Sequence, residues 1–187
     1  TCSDLTGRVL ELLGRIGFDR TDPRISRALG MLRRTQEDDG SWHGRWGVNY
    51  LYGTWQVLRG LAAIGVPANE PWVRRALEWL ESCQNEDGGW GETCASYEEA
   101  DLKGRGESSA SQTAWALMGL ASAGNQCSGA IRRGVEWLLR NQSAAGDWPE
   151  AQTTGTGFPG VFYLKYESYR RHFPLLALAT ARKAMGD

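Results

Sequence analysis

The sequence predicts an all-α fold built from helix pairs in tandem, either a solenoid or, if the curvature closes, an α/α toroid. Three observations predict it. First, residues 25–42, 73–90 and 131–148 of the 187-residue chain superpose without gaps, as ISRALGMLRRTQEDDGSW, VRRALEWLESCQNEDGGW and IRRGVEWLLRNQSAAGDW. Second, counting back from Gln36, Gln84 and Gln142, apolar residues recur in each segment (Ile25, Leu29, Leu32; Val73, Leu77, Leu80; Ile131, Val135, Leu138). Steps of four and three mark one face of an amphipathic helix. Third, each segment closes on the same hardware, a Gly at 40, 88 or 146 and a Trp at 42, 90 or 148.

The elements follow in chain order. A helix over residues 4–16 precedes the first repeat. Asp22-Pro23 and Glu70-Pro71 mark the starts of the next outer helices, because Pro suits the first helical position. Ala28, Ala76 and Gly134 are small residues that permit close helix packing. After each repeat Trp a second helix is expected, over residues 49–64, 110–123 and 166–184, rich in Ala, Gly and Leu and so buried on most sides. That makes about seven helices and no strand. The long connections, residues 91–109 and 149–163, carry Tyr97, Phe158, Phe162 and Tyr163, which argues against disorder.

Composition excludes several functions. Lys and Arg total 21 against 22 Asp and Glu, without the basic excess of a nucleic-acid binder. Cys2, Cys83, Cys94 and Cys127 form no C-x-x-C pair, and His43 and His172 lie far apart, so no metal site is expected. No apolar run is long enough to span a membrane. Unpatterned cysteines and no secretion signal point to a reducing, cytosolic setting. The start at Thr1-Cys2-Ser3 reads as a piece of something longer. Gly at 24 and Trp at 9 are the conspicuous surpluses.

Those surpluses divide. Gln36, Gln84 and Gln142 can bond free backbone groups of a neighbouring turn, and Trp42, Trp90 and Trp148 can cover them, a structural clamp. Trp79 and Trp137 occupy one equivalent helix position and read as packing. Trp46 lies outside the repeat register, in HGRWGVNYLYGTW. A second aromatic stretch, GTGFPGVFYLKYESYRRHFP, spans residues 155–174. There Phe162, Tyr166 and Tyr169 step by four and three, so one helical face could present all three, as a core stripe or as a cavity wall. Gly155, Gly157, Pro159 and Gly160 favour an irregular approach to a cavity.

The three Q-x3-G-x-W elements resemble the QW motifs of triterpene cyclases. GRWGVNYLYGTW and the 155–174 stretch resemble the bacterial squalene–hopene branch. The resemblance runs from Asp4 to the end and implies an (α/α)6 barrel, with residues 1–187 as the C-terminal portion of its domain. It implies a monotopic enzyme on the cytoplasmic face of a bacterial membrane, a homodimer, and squalene as substrate, with no metal or organic cofactor. An Asp of a D-x-D-D motif would protonate a terminal alkene, and ring closures to hopene or hopanol would follow. No D-x-D-D occurs in these residues, since Glu37-Asp38-Asp39 belongs to the first Gln-Trp turn, so the acid is expected upstream.

By the same resemblance, Phe158 and Phe162 line the region where later rings form, with Phe162 beside a late cation. Trp46 is a wall residue near the acid, and Gly157 sets the backbone before Phe158. Tyr166 and Tyr169 contact or brace the cavity, and Tyr52 helps return a proton to the spent acid. Arg8 stands where well-known relatives carry His beside that acid, with Asp4 one helical turn away to orient it. Aromatic faces suit this chemistry because they stabilise a cation by about 0.5–2 kcal/mol each without trapping it. Two other readings stay open, a cyclase of another linear terpene and a non-catalytic α/α remnant used for binding or as a scaffold.

Overall fold

Outer helices begin where the sequence marks them. In the computed structural model, which describes residues 2–122, 124 and 128–185, Asp22 caps α2 (Pro23–Arg34) by accepting the Arg24 N–H at 2.8 Å. Pro fills the first position of α2 and of α4 (Pro71–Ser82), where an N–H would have no helical partner. Ser128 caps α6 (Gly129–Asn141) through the Ala130 N–H at 3.1 Å. These three helices bury one stripe each.

The inner layer is α1 (Ser3–Arg15), α3 (Tyr50–Ala63), α5 (Ala110–Ser122) and α7 (Tyr169–Met185), packed in that order, each on the next. The outer helices α2, α4 and α6 back it. As the Ala, Gly and Leu content predicts, α5 is buried at every position from Ala110 to Ala121, and α3 is buried along nearly its whole length. The α1–α3 approach is set by glycine. A Cβ on Gly7 would strike the Gln56 carbonyl, and one on Gly60 would strike the Gly7 backbone. Among the described residues no helix is long and apolar enough to cross a membrane.

The clamps take the expected form. Gln36 Nε2 donates to its own turn at Gly40 O (2.9 Å) and to Trp72 O (2.7 Å) at the start of the next outer helix. Gln84 repeats this with Gly88 O (2.8 Å) and Ala130 O (2.9 Å). Arg75 and Arg133, one turn into α4 and α6, donate back to the Gln36 and Gln84 amide oxygens. Trp42, Trp90 and Trp148 are fully buried, and each Nε1 donates to the carbonyl ten residues earlier, Leu32, Leu80 or Leu138, at 2.7–2.8 Å. Gly40, Gly88 and Gly146 hold φ between 82° and 97°, which only glycine adopts cheaply. Among the described residues no outer helix follows the third turn, and the next helix is the inner α7. Gln142 bonds Gly146 O at 3.0 Å, and nothing lies within 4 Å of a Cβ built on Gly146.

Two expectations need correction. Residues 155–164 are not free of strand. They form a hairpin, β1 (Gly155–Phe158) antiparallel to β2 (Phe162–Leu164), turned at Gly160, whose φ is 73°. Alternating β-branched and aromatic residues with glycines and Pro159 between them suit a short ribbon better than a helix. The last helix therefore starts at Tyr169 rather than Tyr166. Phe162 and Tyr166 lie before it, so the proposed helical stripe through Tyr169 does not exist. The third inner helix ends at Ser122 as described, and Ala123 and Cys127 fall outside the described residues. The 91–109 connection holds two short 3-10 turns, Cys94–Tyr97 and Ala100–Leu102.

Candidate functional site

The site is assembled at the N-terminal ends of the inner helices, from the loop after α2, the hairpin, and the first turns of α1, α3 and α7. The loop and the hairpin are joined through backbone. Gly47 bridges Gly155, and Val48 N donates to Thr154 O at 2.9 Å. Only glycines fit there, because the Tyr52 ring lies against Gly47 and the Tyr166 ring against Gly155. The Tyr97 hydroxyl pins the same junction, 2.7 Å from Gly44 O, 2.9 Å from Gly47 O and 3.0 Å from Thr156 Oγ1. Its ring stacks near Tyr163 at 5.8 Å. Burial pushes the Tyr97 phenol well above its usual range, so it stays protonated and able to donate.

This junction presents an aromatic wall. Phe158 and Phe162 pair across the hairpin with ring centroids 5.5 Å apart, and Gly157 interrupts the strand register so that its α-carbon faces the Phe162 ring. Trp46, Phe158, Phe162 and Tyr166 are between 41% and 57% exposed, although each is a large apolar ring. Tyr166 rests on Tyr169 at 4.7 Å. Behind it lies a closed cluster in which Tyr52, Trp55, Trp115, Tyr169 and Phe173 make edge contacts of 4.9–6.0 Å, and Trp55 and Trp115 stack at 5.7 Å. Burial raises the Tyr169 phenol to about 12.

Arg8 and Tyr52 converge on Gln56. The Gln56 amide oxygen is assigned toward them, since the reverse would set its NH2 against three donors. It accepts from Arg8 Nε and Nη2, both at 3.1 Å, and from the Tyr52 hydroxyl at 3.2 Å. Burial raises the Tyr52 phenol, and the Arg8 charge pulls it partly back. The Arg8 guanidinium also lies 5.9 Å from the Trp55 ring. A cavity of about 510 Å³ opens here, between Arg8, Val9, Leu12, Trp55, Phe173 and Leu176.

Asp4 does not orient Arg8. Its carboxylate is buried, and Oδ2 accepts the backbone N–H groups of Arg45 (2.8 Å) and Trp46 (3.0 Å), so it fixes the Trp46 loop instead. Glu37 and Asp39 are not simply solvated, since Lys103 Nζ lies 3.1 Å and 3.6 Å from them. Trp137 packs as expected and also donates to Asp87 at 2.8 Å. His43 sits between Tyr50 and Tyr97, and burial lowers its pKa, keeping the ring neutral.

Sequence reasoning missed several residues. Glu92 and Glu150 cap the inner helices of the preceding units: Glu92 Oε2 accepts from Asn49 N (3.1 Å) and Leu51 N (2.9 Å), and Glu150 Oε2 from Ser111 N (2.7 Å). Both stand two residues after a repeat Trp, so extending the register would have found them. Gln56 lies one turn after Tyr52 and was findable once Tyr52 was chosen. Tyr97 and Arg45 carry no local signal. Among the described residues, no three His, Cys, Asp or Glu side chains gather as a metal site would require.

The wall is therefore π-rich, and the buried Asp4 carboxylate beneath the Trp46 loop is spent on backbone N–H groups. Residues 1–183 match the squalene-hopene cyclase C-terminal domain family. The chain belongs to the squalene-hopene cyclase family. It is 57% identical over 182 residues to the squalene–hopene cyclase of Alicyclobacillus acidocaldarius, covering 97% of this chain and 29% of that protein. It is 44% identical over 203 aligned positions to dammaradiene synthase of Dryopteris crassirhizoma, covering 96% of this chain and 30% of the relative. The chain thus spans under a third of these relatives. A solved ent-copalyl diphosphate synthase from Streptomyces platensis superposes on the whole chain with TM-score 0.68 at 22% identity, over 34% of its own length, which shows the α/α toroid fold. This chain supplies an arc of that fold, and it comes from a terpene cyclase family.

Proposed function

We propose that this arc is the C-terminal portion of a squalene–hopene cyclase that folds squalene against the wall formed by Trp46, Phe158, Phe162 and Tyr166. Cyclisation starts when an acid supplied by a preceding segment protonates a terminal alkene. It ends by deprotonation to hopene, an isomerisation, or by water capture to hopanol. The observation that carries this reading is the exposed aromatic wall of Trp46, Phe158, Phe162 and Tyr166, large rings left 41–57% open to solvent. Rings presented this way stabilise positive charge by about 0.5–2 kcal/mol each, and more when water is excluded. In this reading Phe162 faces a late cation and Phe158 the later rings. Trp46 stands nearer the acid, Gly157 sets the wall's spacing, and Tyr166 and Tyr169 brace it. Arg8 strengthens the acid as a fixed positive charge, and Tyr52 passes a proton back to it.

The portion reading is supported by what the arc leaves uncovered. Leu5, Val9 and Leu12 on α1 and Ile16 at its C-cap, spaced by four, three and four, are 46–63% exposed, the stripe a neighbouring inner helix would bury. A monotopic, homodimeric protein drawing squalene from the cytoplasmic face of a bacterial membrane is part of the same proposal. The test is to give squalene to the longer protein that carries this chain and identify the products by mass spectrometry. Pentacyclic hopene and hopanol are expected, and unreacted squalene would overturn the reading. The similarity to dammaradiene synthase favours, as a second reading, a cyclase releasing a different triterpene, which the same product analysis distinguishes.

A further inference from the structure

Arg45 stands between the two aromatic segments. Its guanidinium carbon lies 4.5 Å from the Trp46 ring centroid and 5.3 Å from that of Phe158, and Nη1 donates to the Gly157 carbonyl at 3.0 Å. Its own backbone N–H is held by buried Asp4 at 2.8 Å. Among the described residues, no carboxylate forms an ion pair with its side chain, so the charge is directed at rings and at one carbonyl. The position of that carbonyl matters. The base of the hairpin is already held to the loop through Gly47, Gly155, Val48 and Thr154. Beyond Thr156 the strand register breaks, and Arg45 takes hold there, at the residue whose backbone abuts the Phe162 ring.

We infer that Arg45 is a positioning residue that sets the distance and tilt between Trp46 and Phe158 and, through Gly157, the seat of Phe162. The inference rests on the cyclase reading for its consequence in chemistry, and on geometry alone for the clamp. A planar guanidinium can lie against two rings and donate in its own plane at the same time; an ammonium cannot do both. Lys at this position would keep the charge and lose the clamp. Gln would keep a donor and lose the stacking.

The test uses R45K and R45Q in the longer protein. Three quantities are followed: squalene product composition with kcat and KM, amide hydrogen exchange of a peptide covering residues 153–164, and the melting temperature. Both variants should melt near the parent, exchange faster at the hairpin tip and release a larger share of partly cyclised products. A fall of roughly tenfold to a hundredfold in kcat is expected with KM changed much less, since a displacement of about 1 Å in a positioning group can cost about 10²-fold. Unchanged exchange overturns the clamp. Faster exchange with parental product composition overturns its role in the wall. If R45Q does not fold, R45K decides on the same readouts. If the parent protein makes no cyclic product from squalene, the cyclase reading fails separately, and the exchange experiment still decides whether Arg45 holds the hairpin.

Discussion

Arg8 and Tyr52, on different helices, share one acceptor, the side-chain oxygen of Gln56, at 3.1 Å and 3.2 Å. The arrangement couples a permanent cation to a buried phenol through a group that cannot ionise. Gln56 is itself buried, so its removal leaves the Tyr52 hydroxyl without its partner. Gln56→Leu should cost about 1–3 kcal/mol of stability, the usual penalty for an unpaired buried polar group. It should also lower squalene turnover in the longer cyclase. Arg8→Gln should lower turnover sharply, while Arg8→Lys keeps the charge and recovers part of it. Turnover unchanged in Arg8→Gln would remove Arg8 from the chemistry.

Glu92 gives the fold a pH dependence of defined sign. Burial raises its pKa above 4.5, and the backbone N–H bonds at the start of α3 only partly offset this. Its Oε1 finds no hydrogen-bond partner among the described residues. Between 4.5 and the raised folded value, the native state binds the proton and the unfolded chain does not, so stability falls as pH rises through that window. Melting temperature should therefore rise on mild acidification from neutral pH. Glu92→Gln, which keeps a carbonyl for the two N–H groups, should flatten that rise. The exposed Asp19 and the half-buried Asp147, held low by hydrogen bonds to Thr21 and Ser143, work in the opposite sense, but only below pH 3.8.

The three clamps differ in what they hold. Gln84 joins its own turn to the start of α6, whereas among the described residues Gln142 bonds its own turn alone. In urea denaturation of residues 1–187, Gln84→Ala should cost about 1–3 kcal/mol, since it loses the bonds to Gly88 O and Ala130 O and the exposed one from Arg133, and Gln142→Ala less than about 1 kcal/mol. In the longer protein the difference should shrink if another helix start seats on the third turn. Equal costs in the isolated chain would contradict the geometry.

The helices and clamps were legible because they repeat. Three copies of one pattern average out local accident, and period, turn glycine and closing Trp all agree. The hairpin was not legible, because Phe162, Tyr166 and Tyr169 fit helical spacing by coincidence. What decides the local structure is tertiary, the Gly47–Gly155 bridge and the rings stacked on those two glycines. Asp4 was misread for a related reason. A carboxylate one turn before an arginine suggests a pair within the helix, but its bonding partners arrive from a loop about forty residues away.

Phe162 is the sharpest test of the wall. Its ring is 45% exposed, so truncation to Ala removes only part of its burial and should cost under about 2 kcal/mol, well below the 3–5 kcal/mol typical of a buried Phe. A residue placed for packing would show its whole effect in stability. A residue that faces a cation should instead change where the cascade stops, so Phe162→Ala should release partly cyclised products at a nearly parental melting temperature. Gly157→Ala offers an independent route to the same outcome, because the added Cβ would strike the Phe162 ring and displace it while leaving its chemistry intact. Matching product profiles from the two variants would tie the effect to the position of that ring. Parental products from both, with only stability reduced, would return Phe162 to the role of packing.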